Sequence, residues 1–189
     1  MKRLVCMILA AAMVALMICS ATAEGVTFTT PYFTLQLPDG WIIDKDDLEK
    51  EDKVEYLGCF GEDREIGIVA AAYLVYYEDL KDLALWSSDS EEMEAYKEAI
   101  LEDYADEHPV YLDTVMAGKI PFILIKATDR IGEYLYADTM TNGYAIQIEA
   151  FVTDDSDEEK SYPLTDENIE QFKTILKTFQ HILLSGLGS

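Results

Sequence analysis

The chain is short of cysteine, histidine and base. It has three cysteines and two histidines in 189 residues, and only 14 Lys and Arg against 37 Asp and Glu. Cys6 and Cys19 lie in an apolar opening segment, which leaves Cys59 alone downstream. One cysteine cannot close an intramolecular disulfide, so the downstream part must be held by its core. Cys59, His108 and His181 are the soft or nitrogen ligands there, and no pair has zinc-ligand spacing. A Gly-x-Ser-x-Gly elbow, a phosphate loop and a dinucleotide fingerprint are missing. So are internal repeats, low-complexity linkers and a second long apolar run.

Lys2 and Arg3 are the charges of Met1–Ala23, so the rest carries 12 bases and all 37 acids, a net −25. A field of that sign repels phosphate backbones and lipid headgroups, which argues against nucleic acid and against an anionic membrane surface. It attracts basic proteins and cations, and it also keeps a protein soluble outside the cell. All 12 Tyr, 7 Phe and 2 Trp fall after residue 23, which opposes disorder despite the charge. The 166 residues from Glu24 on suit one domain with a real core.

The opening segment has the order of an export signal. Lys2 and Arg3 precede sixteen apolar residues, Leu4 to Cys19, and Ala21-Thr22-Ala23 offers small residues before Glu24. The expectation is a signal peptide over residues 1–23 and one domain over 24–189, secreted or held in the cell envelope. An uncleaved anchor would want about 20 apolar residues. Lipid attachment at Cys19 would want a small residue before it, where Ile18 stands.

Periodicity gives the elements. Phe33, Leu35 and Leu37 alternate with polar residues as in a half-buried strand, and Pro38-Asp39-Gly40 is turn chemistry. Trp41–Ile43 is extended, Asp44–Asp52 a charged loop or short helix, and Val54–Phe60 a strand. Ile66–Tyr76 reads as a central strand covered on both faces. Ser88 and Glu91 have capping-box spacing ahead of a helix with Met93, Tyr96, Ile100 and Tyr104 on one stripe, stopped by Pro109. Strands follow at Val110–Met116, Phe122–Thr128, Glu133–Thr139 and Tyr144–Val152, the last two joined through Asn142-Gly143. Asp154–Lys160 reads as an acidic loop. A closing helix, capped by Thr165 or Asp166, buries Ile169, Phe172, Ile175, Leu176 and Phe179, with Lys173, Lys177 and His181 toward its end. Strands joined by short turns predict an α+β domain, a mainly antiparallel sheet flanked by helices.

Phe33-x-Leu35-x-Leu37-Pro38-x-Gly40-Trp41, the middle helix, Gly118-x-x-Pro121, Asn142-Gly143 and the closing helix with Ile169, Phe172, Ile175 and Phe179 come in a distinctive order. Over roughly Phe33 to Gln180 this order resembles the PsbP-like α/β/α sandwich. That fold is shared by photosystem extrinsic subunits, a nuclear Ran-GTPase-binding factor and small exported bacterial proteins. The resemblance implies a non-catalytic module that binds another protein or an envelope component. It implies no cofactor and carries no catalytic residues.

Several local features are candidates for function. Glu94, Glu98, Glu102 and Asp106 stand at i, i+4, and like charges so spaced repel, which offers an acidic face to a basic partner. Asp154, Asp155, Asp157 and Glu158 hold enough oxygen for a weak calcium site, though without the turn glycine of an EF-hand loop. Cys59 with His108 would be a nucleophile and base for a hydrolase if folding joined them. Otherwise Cys59 is a buried strand residue. Trp41 is expected in the core. Trp86, before Ser87-Ser88-Asp89-Ser90, is the aromatic expected at a surface patch, and Tyr73, Tyr76 and Tyr77 could line a groove.

Overall fold

The computed structural model describes residues 25–44, 50–51, 54–63, 66–154 and 157–182. The expected signal peptide, Asp155 and the middle of the Asp44–Asp52 segment lie outside them. The strands are β1 (Thr27–Thr29), β2 (Phe33–Gln36), β3 (Trp41–Asp44), β4 (Lys50–Glu51), β5 (Val54–Glu62), β6 (Ile66–Tyr76), β7 (Val110–Ala117), β8 (Ile120–Thr128), β9 (Glu133–Thr141), β10 (Tyr144–Asp154), β11 (Asp157–Tyr162) and β12 (Gln180–His181). Helix α1 spans Ser90–Asp103 and α2 spans Asp166–Leu176. The large sheet runs β3-β5-β6-β10-β9-β8-β7, with β4 on β5 and β11 on β10, and β1-β2-β12 form a small sheet. Every described pairing is antiparallel. The fold is α+β, as its short turns require.

Alternation along each strand assigns the two faces of the large sheet. Leu124 on β8, Leu135 and Ala137 on β9, Ile148 and Ala150 on β10, and Ala70 and Ala72 on β6 bury against α2 and the small sheet. Phe28, Phe33, Phe60, Phe122, Phe172 and Phe179 fill the space between, and Phe33 stacks on Phe179 with ring centroids 5.0 Å apart. Trp41 closes this core as expected, 4% exposed. The opposite, outer face presents Ile123, Ile125, Tyr136, Asp138 and Gln147. Ile100 of α1 packs on Ile123 and Ile125, with Met93, Tyr96 and Tyr104 beside it. The helices therefore lie on opposite faces.

Several boundaries differ from expectation. β6 is central and covered along one face, where Ile68, Ala70 and Ala72 are buried; on the other face Val69, Ala71 and Tyr73 are half-buried and Val75 is buried against Leu85, Met140 and Ala145. The cap of α1 is Asp89 rather than Ser88, and its box partner is Glu92. Asp89 Oδ1 accepts from the Glu91 and Glu92 amides at 2.9 and 3.0 Å, bonds that an aspartate makes as readily as serine. The expected loop at Asp154–Lys160 is mostly β11, because backbone pairing with β10 does not depend on side-chain polarity. His181 belongs to β12, not to the end of α2, since the helix stops at Leu176. Thr165 caps α2 as expected, with Asn168 completing the box.

The Asn142-Gly143 turn positions more than its own strands. Its residues have φ of 51° and 80°, the left-handed pair that a two-residue hairpin needs. A Cβ on Gly143 would stand 2.8 Å from the Tyr77 carbonyl oxygen, so no larger residue fits. The Gly143 carbonyl accepts from the Tyr77 amide at 2.8 Å, and the Asn142 amide donates to Leu83 at 2.7 Å. These two bonds clamp the segment that leads from β6 to α1.

Candidate functional site

The expected acidic face is shorter than its spacing promised. Glu94, Glu98 and Glu102 are exposed along α1, but Asp106 falls past the helix end in a single 3-10 turn. Glu94 is paired with Lys97, whose ammonium also lies 4.9 Å from the Tyr111 ring centre. Asp103, not part of the expected face, is exposed and borders the cavity described below. No group of three metal-ligating side chains occurs among the described residues. Asp154, Asp157 and Glu158 sit where β10 meets β11, and Asp155 lies outside the described residues.

Cys59 and His108 are not joined. Cys59 is on β5, and His108 directly precedes β7 at the far edge of the sheet. Five strand spacings separate β5 from β7, about 24 Å. Cys59 is half-buried rather than buried, beside Ala71 on the outer face. Trp86 is exposed as expected, at 43%.

The structure gathers a different constellation beneath α1. The clamped segment brings Tyr77, Leu80 and Leu83 to one wall, and α1 brings Ala95, Tyr96, Ala99, Asp103 and Tyr104 to the other. Asp138, Met140 and Gln147 form the floor. Between them is a cavity of about 330 Å³, at the lower end of the range for small-ligand pockets. Ala95 and Ala99 leave room under the helix where larger residues would fill it.

Asp138 is the polar centre of that floor. It pairs with Ile123 on one side and Gln147 on the other, and it is 1% exposed. Oδ1 accepts from the Tyr96 hydroxyl at 2.9 Å. Oδ2 has no hydrogen-bond partner among the described residues. Burial pushes the carboxyl up to about 7, against the Tyr96 hydrogen bond and the nearby Gln147 amide, which favour the anion, while the Asp103 charge adds to the rise. Burial likewise raises Tyr77, Tyr96 and Tyr104, so each keeps its proton at neutral pH.

The row beyond the cavity continues the aromatic lining. Tyr136 stacks on Tyr104 at 4.2 Å and donates to Glu107 at 3.2 Å. Its neighbour Glu149 is held above the usual carboxylate range by burial, with Glu107 and Asp129 adding to it. Further across, Tyr134 meets Phe151 and Tyr56 meets Tyr73, all half-buried on the part of the outer face that α1 does not reach.

Sequence reasoning put Tyr77 among its groove aromatics but passed over Asp138 and Gln147. Both sit inside alternating strands, in phase with the apolar Ile123 and Met140 once the register is known.

No protein-family model matches the chain, and no curated protein matches it. Among solved structures the chain is similar to cyanobacterial PsbP (CyanoP) from Synechocystis sp. PCC 6803, at 11% identity and TM-score 0.45, over 86% of this chain and 95% of that one. It is also similar to LpqN, a protein involved in cell envelope biogenesis of Mycobacterium tuberculosis, at 11% identity and TM-score 0.41, over 85% of this chain and 87% of that one. These likenesses concern the path of the chain and assign no role to any residue.

Proposed function

We propose that the protein is exported and acts as a non-catalytic binding protein of the envelope or the surrounding medium, with its recognition site in the cavity under α1. The observation that carries this reading is the cavity itself, an apolar space that ends on a buried carboxylate oxygen with no partner. A fold has no use for such an oxygen, which costs stability unless something donates to it. The separation of Cys59 from His108 supports binding over hydrolysis. No helix among the described residues is long and apolar enough to cross a membrane.

The test is a fragment screen by NMR on the native chain and on Ala99→Phe, which places a ring in the cavity. Fragments that shift the Tyr77, Tyr96 and Tyr104 resonances should lose their effect in the variant while thermal unfolding stays near the native midpoint. Equal binding to both proteins would refute the site.

A second reading rests on the half-covered sheet face. Tyr56, Tyr73, Tyr134 and Phe151 there, with the exposed Trp86, offer aromatic area of the kind protein interfaces use. A basic partner suits the charge. Tyr73→Glu should abolish capture of such a partner, and Ala99→Phe should not.

A further inference from the structure

We propose that the cavity under α1 takes a small apolar molecule carrying a protonated primary or secondary amine, which donates to Oδ2 of Asp138 while its body lies against Tyr77, Tyr96 and Tyr104. This deepens the binding role proposed above and rests on it.

Three observations converge on that chemistry. The first is the oxygen. Asp138 Oδ1 is occupied by the Tyr96 hydroxyl, so a newcomer finds Oδ2, which can only accept when the carboxyl is ionised. A ligand that merely fills the space leaves it orphaned. A ligand with an N–H reaching the floor satisfies it.

The second is charge. The groups facing Asp138 are Glu92, Tyr96, Asp103 and Tyr104 from α1, Tyr77 from the clamped segment and Gln147 from β10. None of these is a base, and the cavity lining contains no Lys, Arg or His. An anionic ligand would meet Asp138 and Asp103 with nothing to offset them. A cation placed between them is favoured by both, and in a desolvated site that attraction is far larger than in water.

The third is the rings. Tyr77, Tyr96 and Tyr104 stand round the cavity, and an ammonium is attracted to aromatic faces. Leu80, Leu83, Ile100 and Met140 supply apolar area for the rest of the molecule.

The test compares three probes of one shape on the purified protein: phenethylamine, neutral phenethyl alcohol and anionic hydrocinnamate. Affinities are read from NMR shifts of the cavity tyrosines. The amine should bind about tenfold or more tighter than the alcohol, and hydrocinnamate should not bind. Its advantage should shrink as the pH is lowered through the carboxyl's range, because a protonated Asp138 no longer attracts a cation. In Asp138→Asn the amine should fall to the level of the alcohol, with folding checked by thermal unfolding. Equal binding of amine and alcohol at the cavity would overturn the amine inference and leave the binding role standing. Failure of all three probes, together with equal fragment binding by Ala99→Phe, would overturn both. The comparison of probes on the native chain stands even if Asp138→Asn does not fold.

Discussion

Asp138 is a residue whose ordinary properties are reversed by place. A surface aspartate titrates near 3.8, whereas this one is lifted to about 7 by burial. The folded state thus holds a proton that the unfolded chain has already released. Stability must therefore fall as pH rises from the unfolded value through the folded one, and the loss is complete above about 7. The difference corresponds to roughly 4 kcal/mol at most. Asp138→Asn removes the titration. Its unfolding midpoint should exceed that of the native chain by a few degrees near pH 8, and the two should converge near pH 4. A constant offset across that range would show that Asp138 does not titrate with folding. Such an aspartate is hard to read from sequence. In Tyr136-Ala137-Asp138-Thr139-Met140 it looks like an outward residue of an alternating strand, and only the register with Ile123 and the helix laid across it show otherwise. Trp41 and Trp86 were legible for the opposite reason: one follows a turn into the sheet and the other adjoins a run of serines, so local polarity already sorted them.

At the scale of elements, α1 and α2 differ in how well they agree with helix rules. α2 has acids in its first turn and Lys173 in its last, and it buries Phe172, Ile175 and Leu176. α1 has acids at its start but no base in its last turn, and Glu98 and Glu102 remain one turn apart on its exposed side. Replacing both by Gln should raise stability by about 0.5 kcal/mol at low salt, and the gain should vanish at high salt. A gain that persists in high salt would mean that propensity rather than repulsion was responsible. The Asp89 cap works the other way: Asp89→Ala should cost about 1 kcal/mol, read from denaturant midpoints. Because α1 is one wall of the cavity, the same change should weaken binding there more than it lowers the unfolding midpoint would suggest. Elements held by buried side chains were visible in the sequence, as periodic stripes. Elements without an apolar stripe were not. Residues Asp157–Tyr162 form β11 on four charges, a serine and Tyr162, the one of them packed on the core, with no pattern that separates them from a loop. The cap of α1 slipped by one residue because Ser88 and Asp89 are both good caps, and geometry alone chooses between them.

The whole molecule is governed by its charge, a net −25 over residues 24–189. Self-repulsion of that size opposes compaction, so salt should raise the unfolding midpoint. Calcium and sodium at matched ionic strength should give equal rises. A calcium-specific excess of several degrees would reveal a site that uses the acids of the β10–β11 region, by linkage of binding to folding. The export reading is checked by mass spectrometry of protein recovered outside the cytoplasm, whose first residue should be Glu24.

The small sheet has a bearing on how such a chain is made. Its middle strand, β2, takes β1 on one edge and β12 on the other, and the Gln36 amide reaches the Thr178 hydroxyl 142 positions away. Synthesis delivers β1 and β2 well before the strand that completes them. Until then Phe33 has no Phe179 to stack on. Ending the chain at Leu176 should leave a form that melts without a cooperative transition, although both helices and the whole large sheet are still encoded.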